Sequence, residues 1–248
     1  MAKYIDSTYM LGVDLGQRRD PSCISVIEVQ RIRDIGQMNL RMLATLSYPR
    51  HMVLTRSLNK IYVLRDLKQF KLGTSYTDVS QEINKLVHDS AIQPKSVLED
   101  DKGITKVMEL PVGTPRLPEL VLDQSGVGGP VMDYCREIGL TPMGIVITNG
   151  ERPHQNSAPK KDIVSAFLLA YEQQRFKIAR HLELLPQFVY QLQQFKGGLS
   201  DSGRATYEAA KGHDDLILAV CLPLWYSEVV EEHTPHFAPN RSFNIFAR

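Results

Sequence analysis

Acidic residues stand at three places where a regular element of this sequence meets a turn. Asp14 interrupts an apolar strand pattern, and Asp123 ends a second apolar run. Asp214 and Asp215 together open an otherwise apolar helical segment. A carboxylate within or at the end of a buried strand is costly unless it is hydrogen-bonded, paired or bound to a cation. Because these side chains supply only oxygen ligands, a shared cation would be a hard one such as Mg²⁺ or Mn²⁺.

Each of these acids also has an explanation that needs no metal. Asp14 can turn the chain together with Gly16, since Asp-x-Gly is common in turns. Asp123 can serve the backbone of the glycine-rich turn that follows it, and Asp214 can cap its helix. A second adjacent Asp is not needed for capping. The joint pattern therefore carries more weight than any one member.

Other reactive residue types give weaker signals. His213 can orient a carboxylate or assist proton transfer, or it can simply cap the helix start. The GVGG turn at 126–129 is similar to phosphate loops, but the chain contains no GxxxxGK[ST] motif, which excludes ATP hydrolysis through a P-loop. The three cysteines, Cys23, Cys135 and Cys221, include no CxxC pair and lie among apolar residues. We expect them to be core residues of a protein in a reducing compartment.

The segment from Arg50 to Lys71 is the most basic part of the sequence, with six Lys or Arg residues against the single acid Asp66. It is either a solvated loop or a contact surface for phosphates. The same alternatives hold for two lysines that precede an amphipathic helix. Since the net charge of the chain is only +1, binding to a polyanion would depend on such local patches. The candidate phosphate contacts are Arg56, Lys60, Arg65, Lys68, Lys160 and Lys161.

Apolar periodicity predicts an α/β fold around these residues. Residues 9–13 and 23–29 alternate as two strands of a hairpin, and 38–46 continues as a third antiparallel strand. Residues 119–148 contain a short buried strand, a helix and another strand, which implies a parallel crossover. We therefore predict a central mixed sheet, an antiparallel meander with parallel strands added, flanked by helices.

Apolar residues at helical spacing predict four helices besides the one in that crossover. We expect Thr77 or Asp78 to cap the first of them. Pro186 is tolerable only in the first turn of the third, and Pro223 should kink or shorten the last. The apolar faces of these helices lie within residues 79–87, 163–171, 184–195 and 216–224.

The chain as a whole has the composition of a soluble globular protein, with 248 residues of which 43% are hydrophobic. No Gly/Ser linker divides it, so we predict one domain over residues 1–232 and a loosely attached tail over 233–248. Residues 99–118 should form an exposed loop or hairpin. The sequence shows neither a signal peptide nor an apolar run approaching the roughly 20 residues that span a bilayer, so we expect a cytoplasmic protein with no membrane contact.

The order of these segments resembles the nuclease domain of phage terminase large subunits, within the ribonuclease H-like superfamily. GVDLGQRRDPSCISVIE resembles the first two strands of that family with its first catalytic aspartate, here Asp14. LVLDQSGVGGPVMDYCREIGL resembles the part that carries the second, here Asp123. PKKDIVSAFLLAYEQQRFKIA, QLQQF and GHDDLILAVCLPLW resemble the remaining helices and the final acidic pair, Asp214 and Asp215. The resemblance runs from about residue 9 to 227.

This resemblance implies a ribonuclease H-like α/β fold with a central mixed sheet of five strands. It also implies an endonuclease that uses two divalent ions, Mg²⁺ or Mn²⁺, to cut DNA phosphodiester bonds, as when concatemeric viral DNA is cut during genome packaging. Asp14 would then bridge both ions and Asp123 would bind one of them. Asp215 or Asp214 would bind the other, with His213 as a possible auxiliary residue.

Members of that family usually carry an ATPase motor before the nuclease, whereas this sequence begins almost at the first strand. We expect one of three arrangements. The packaging ATPase is a separate chain, or this chain is a stand-alone relative of the family, or it is a domain excised from a longer protein. The expected partners are double-stranded DNA, such an ATPase and other packaging proteins, in the host cytoplasm. The alternatives are a junction resolvase-like nuclease, a non-catalytic DNA-binding packaging partner, and an actin-like or sugar-kinase-like phosphotransferase. The last would duplicate its core domain, for which 248 residues leave little room.

Overall fold

The structure is a computed structural model. It describes residues 3–16, 20–34, 59–100, 102–108, 117–126, 128–150, 156–199, 205–209 and 214–230. Several sequence predictions lie outside these residues: the strand at 38–46, the tail at 233–248, and the candidate residues Arg56 and His213. The division into a domain over 1–232 and a tail stays a prediction.

The described residues alternate between strands and helices, as the periodicity predicts. The strands are β1 (Lys3–Asp14), β2 (Cys23–Asp34), β3 (Asn59–Gln69), β4 (Lys95–Glu99), β5 (Thr105–Met108), β6 (Glu119–Asp123), β7 (Met143–Thr148), β8 (Ser157–Pro159), β9 (Phe176–Ile178), β10 (Phe195–Leu199) and β11 (Ala205–Ala209). The helices are α1 (Tyr76–Val87), α2 (Gly128–Glu137), α3 (Lys160–Glu172), α4 (Leu185–Gln194) and α5 (Asp215–Trp225), which continues as a π-helical turn (Tyr226–Val230).

A mixed sheet forms the centre of the molecule, with the order β8-β7-β6-β1-β2-β3-β9. The pairs β1–β2 and β2–β3 are antiparallel, while β6 is parallel to β1 and β7 is parallel to β6. The predicted fold class is therefore confirmed. In the described part of the chain the sheet has nine strands rather than five, because the hairpin β4–β5 pairs with β1 and short strands extend both edges.

The antiparallel neighbour of β2 on the side away from β1 is β3, in the segment interpreted above as a basic loop or phosphate contact. The loop interpretation is wrong for these residues. Tyr62, Leu64 and Leu67 are buried within the strand, so apolar burial rather than charge decides its structure.

Alternation along β1 separates two apolar cores. Leu11 and Val13 face a core that includes residues of α1 and α2. Met10 faces the other core, which contains much of α5 and parts of α3. Because neighbouring strand residues point to opposite faces, Gly12 and Asp14 share the α5 side with Met10. The sheet thus presents Asp14 to the helix that carries the late acidic pair.

The helices differ from their predictions in detail. The cap of α1 is Ser75, whose Oγ accepts from the Asp78 N–H at 3.1 Å, so capping by Thr77 or Asp78 is wrong. Pro186 does lie in the first turn of α4, as predicted. In α5 the helix continues past Pro223 to Trp225.

Two further predictions can be compared with the described residues. The part of 99–118 that the structure describes includes β5, which forms a hairpin with β4, so the hairpin alternative is the correct one there. No helix within the described ranges has the length and apolar character needed to cross a membrane.

Candidate metal centre

Two aspartates meet at the ends of neighbouring parallel strands. The register of β1 with β6 pairs Val13 with Leu122, so the next residues, Asp14 and Asp123, lie side by side where both strands end. Val121 belongs to the core on the α5 side, and alternation puts Asp123 on that side as well. The sequence-predicted pair is therefore brought together on one face of the sheet.

Helix α5 brings the second pair of acids to the same place. Asp215 is the first residue of α5 and is only 7% exposed. Asp214 occupies the N-cap position, but its side chain makes no capping hydrogen bond. Its Oδ2 instead accepts from the Lys160 Nζ at 2.6 Å. The capping explanation of Asp214 is therefore wrong, and the acid is engaged with a cation from the start of α3.

Three of the acids act electrostatically on Asp14, and we call the four the aspartate cluster (Asp14, Asp123, Asp214 and Asp215). The pKa of Asp14 is raised well above its usual range, first by burial and then by repulsion from the other three carboxylates. Lys160 acts in the opposite direction and lowers it. A buried group of like charges of this kind favours the binding of a compensating cation.

The turn roles considered for the first two acids have different outcomes. The Gly16 N–H donates to the Ser22 Oγ at 3.1 Å, so it is Ser22 rather than Asp14 that satisfies this turn. Asp123 does serve its turn, because its Oδ1 accepts from the Ser125 N–H at 2.8 Å. Burial raises the pKa of Asp123, and the hydrogen bonds with Ser125 and the electrostatic effect of Lys160 oppose that rise.

The donor chemistry of the aspartate cluster fits a hard divalent ion. Its ligands are carboxylate oxygens, which Mg²⁺ and Mn²⁺ prefer, and its excess negative charge is what such an ion neutralises. Among the residues that the structure describes, no group of three or more His, Cys, Asp or Glu side chains has the spacing of a completed metal site. The fit therefore rests on charge, burial and ligand type.

Of the predicted phosphate contacts that the structure describes, Lys160 is the one that contacts this cluster, at the start of α3. Lys160 lies there, and Lys161, the next residue, is half-buried. The basic residues of β3 are engaged elsewhere. Lys60 Nζ donates to the Ser227 carbonyl at 2.7 Å, Arg65 pairs with Glu28, and Lys68 Nζ lies 2.7 Å from the Glu82 Oε1.

Sequence reasoning missed one residue of this site, Ser125, and gave another, Lys160, a different role. Ser125 fixes one oxygen of Asp123, and a Ser two residues after an Asp at a strand end is a recognisable turn signal. Lys160 was predicted as a phosphate contact, whereas it pairs with Asp214. That pairing joins residues 54 positions apart, and no local pattern shows it.

Comparison with solved structures identifies the fold of this chain. No protein-family model and no curated protein matches this chain. Two solved structures of the large terminase nuclease from thermophilic phage G20c are similar to it, each at 17% identity over 90% of this chain. The one with bound cobalt has a TM-score of 0.52 over 81% of its own chain, and the one with bound magnesium has a TM-score of 0.50 over 82%. The chain therefore has the mixed α/β fold of large terminase nuclease domains, as the sequence resemblance predicts.

Proposed function

We propose that this chain is a metal-dependent endonuclease that cuts DNA phosphodiester bonds, as the large terminase nucleases do. The observation that carries the proposal is the meeting of Asp14 and Asp123 at adjacent strand ends, opposite Asp214 and Asp215. The cobalt and magnesium bound to the two fold relatives support divalent metal use. We expect Mg²⁺ or Mn²⁺, as two ions.

The residues of the cluster divide the work in this proposal. Asp14, on which the other three carboxylates act, would be shared by both ions. Asp123 is a ligand whose orientation is fixed by the Ser125 N–H. Asp215, buried in the first turn of α5, would be the ligand from that helix, next to Asp214 in its ion pair with Lys160. Bound ions of this kind activate a water molecule and stabilise the leaving oxygen of the phosphodiester.

The substrate in this proposal is double-stranded DNA, which would approach the carboxyl ends of β1 and β6. We retain two candidate phosphate contacts. They are Lys161 at the start of α3 and Arg56 in the basic segment from Arg50 to Lys71. Lys60, Arg65 and Lys68 are weaker candidates, because each already contacts a carbonyl or carboxylate of the chain. The packaging role, with a separate ATPase and other packaging proteins as partners, also belongs to the proposal.

Incubation with supercoiled plasmid in Mg²⁺, Mn²⁺ or EDTA tests the reaction class. We expect relaxation and linearisation of the plasmid with either metal and none in EDTA. Asp123→Asn should reduce cleavage by at least about a hundredfold, because it removes a ligand charge. The matched control is Asp133→Asn, since Asp133 is an exposed acid of α2 paired with Arg136. Cleavage in EDTA, or equal cleavage by Asp123→Asn and wild type, would reject the proposal.

A further inference from the structure

Helix α5 contains a proline where a helix normally needs a backbone donor. Pro223 lies inside α5, and the carbonyl four residues earlier belongs to Ala219. Proline has no N–H, so this carbonyl cannot receive its usual bond within the helix. Both residues are buried, and an unsatisfied buried carbonyl costs about 1–3 kcal/mol. Some other donor is therefore needed at this point.

The donor comes from the sheet. Ser25 of β2 donates from its Oγ to the Ala219 carbonyl at 2.7 Å, and its exposure is 0%. The bond joins residues 194 positions apart, so it fixes α5 directly to the sheet. A helix with an ordinary residue in place of Pro223 would have no comparable need for it.

The sheet is shaped for close approach at the same point. Ser25 is the register partner of Gly12 on β1. A Cβ built on Gly12 would lie 2.0 Å from the Ala219 oxygen and 2.5 Å from the Pro223 Cδ. Only a glycine therefore lets the α5 backbone lie against β1 here, and the hydroxyl of Ser25 reaches the Ala219 carbonyl from the neighbouring strand.

This contact lies at a similar distance from both halves of the aspartate cluster. Asp14 is two residues beyond Gly12 on the same face of β1, which is about 7 Å along a strand. Asp215 is four residues before Ala219, which is about 6 Å along a helix and on the same helical face. The hydrogen bond of Ser25 therefore joins the sheet to α5 between these two acids.

We propose that Ser25 is a positioning residue for the metal centre: its bond to the carbonyl left open by Pro223 sets the approach of Asp215 to Asp14. This inference rests on the proposed function, because it concerns the metal ligands assigned there. It assigns Pro223 a role as well, since the missing N–H makes the helix depend on the sheet for its position.

A double-mutant cycle with Mn²⁺ binding as the readout tests this role. The variants are Ser25→Ala, Pro223→Ala and the double variant, with affinity measured by electron paramagnetic resonance titration and stability by urea denaturation. Ser25→Ala should weaken Mn²⁺ binding about tenfold, as removal of groups that orient ligands does. Pro223→Ala restores an N–H for Ala219, so adding Ser25→Ala to it should change affinity less than about threefold.

Ser96→Ala is the matched control. Ser96 is also fully buried, on the same sheet, and donates to the Asp6 Oδ1 at 3.0 Å. We expect a comparable loss of stability with unchanged Mn²⁺ affinity.

If Ser25→Ala binds Mn²⁺ as tightly as wild type, or weakens binding equally in both backgrounds, the positioning role is wrong while the nuclease proposal stands. If Ser25→Ala alone does not fold, a double variant that folds and binds Mn²⁺ tenfold more weakly than Pro223→Ala contradicts it. A wild-type chain that binds no Mn²⁺ overturns both proposals.

Discussion

At the scale of single residues, the acids of the site are visible in the sequence, but their counter-charge is not. Asp14 and Asp123 are recognisable because a carboxylate breaks or ends an apolar strand, where it has a high cost. The contact between Asp214 and Lys160 depends on how α3 and α5 meet, which no local spacing determines.

Asp14→Asn should stabilise the chain in EDTA at neutral pH. The pKa of Asp14 is raised by burial and by the three neighbouring carboxylates, so ionised Asp14 is unfavourable in the folded state. Removing its charge should raise the free energy of unfolding by about 1 kcal/mol, measured by urea denaturation. Asp133→Asn, at an exposed position, should leave stability unchanged. A destabilised Asp14→Asn would mean that the carboxylate has a structural role.

Lys160→Met should destabilise the metal-free chain. Both partners of the Lys160–Asp214 pair are about four-fifths buried, with side-chain exposures of 22% and 19%. Loss of the ammonium leaves a buried carboxylate without compensation, which should cost about 2–3 kcal/mol in thermal or urea unfolding. Saturating Mn²⁺ should recover much of this loss, because the ion supplies positive charge to the same cluster. Lys161→Met is the neighbouring control, and equal effects of the two variants would argue against a specific role for Lys160.

At the scale of elements, periodicity predicts the helices and the strands that carry acids, but it misses β3. The pairing of β2 with β3 shifts between Val26 and Ile27, and Arg65 of β3 lies at this shift. The apolar alternation of β3 is therefore interrupted at the consecutive charged residues Arg65 and Asp66. Short edge strands such as β8 and β9 are too brief to give a period. The course of α5 past Pro223 also depends on a donor from another element, Ser25.

The far end of α5 is anchored by a polar cluster that gives a pH-dependent prediction. Glu228 in the π-helical turn accepts from Arg175 and from the Tyr62 hydroxyl. Burial alone would raise the pKa of Glu228, but these hydrogen bonds outweigh it and lower the pKa. A lowered pKa stabilises the fold above the unfolded-state value of about 4.3, and this contribution is lost as the pH falls through the folded-state pKa.

Glu228→Gln should therefore cost about 1–3 kcal/mol at pH 7 and much less near pH 3, in urea denaturation followed across that range. Glu82→Gln is the control. Glu82 pairs with Lys68, which lies on the opposite side of β3 from this cluster and whose side chain is 42% exposed. Its effect at pH 7 should stay below about 1 kcal/mol. A loss of stability from Glu228→Gln that does not change with pH would contradict the ionic anchoring.

At the scale of the whole molecule, a net charge of +1 gives no general attraction for DNA. Ca²⁺ should permit DNA binding and suppress cutting, so DNA binding can be measured in its presence. We expect this binding to be weak, tolerant of sequence and strongly dependent on salt. Lys161→Gln should lower the slope of log affinity against log salt by about one, because Lys161 follows Lys160 in the first turn of α3 and would supply one phosphate contact. Lys85→Gln, on α1 against the other face of the sheet, should leave the slope unchanged. Equal slopes for wild type and both variants would remove Lys161 from the DNA path.

The central claim is that the aspartate cluster binds the divalent metal of the proposed nuclease. The most direct measurement is anomalous diffraction from crystals grown with Mn²⁺, which locates the ions without reference to activity. We expect Mn²⁺ between Asp14, Asp123 and Asp215, with Asp14 contacting two ions, and loss of that signal in Asp123→Asn crystals. Mn²⁺ at other acids, or a cluster that stays without anomalous signal at saturating Mn²⁺, would contradict the account.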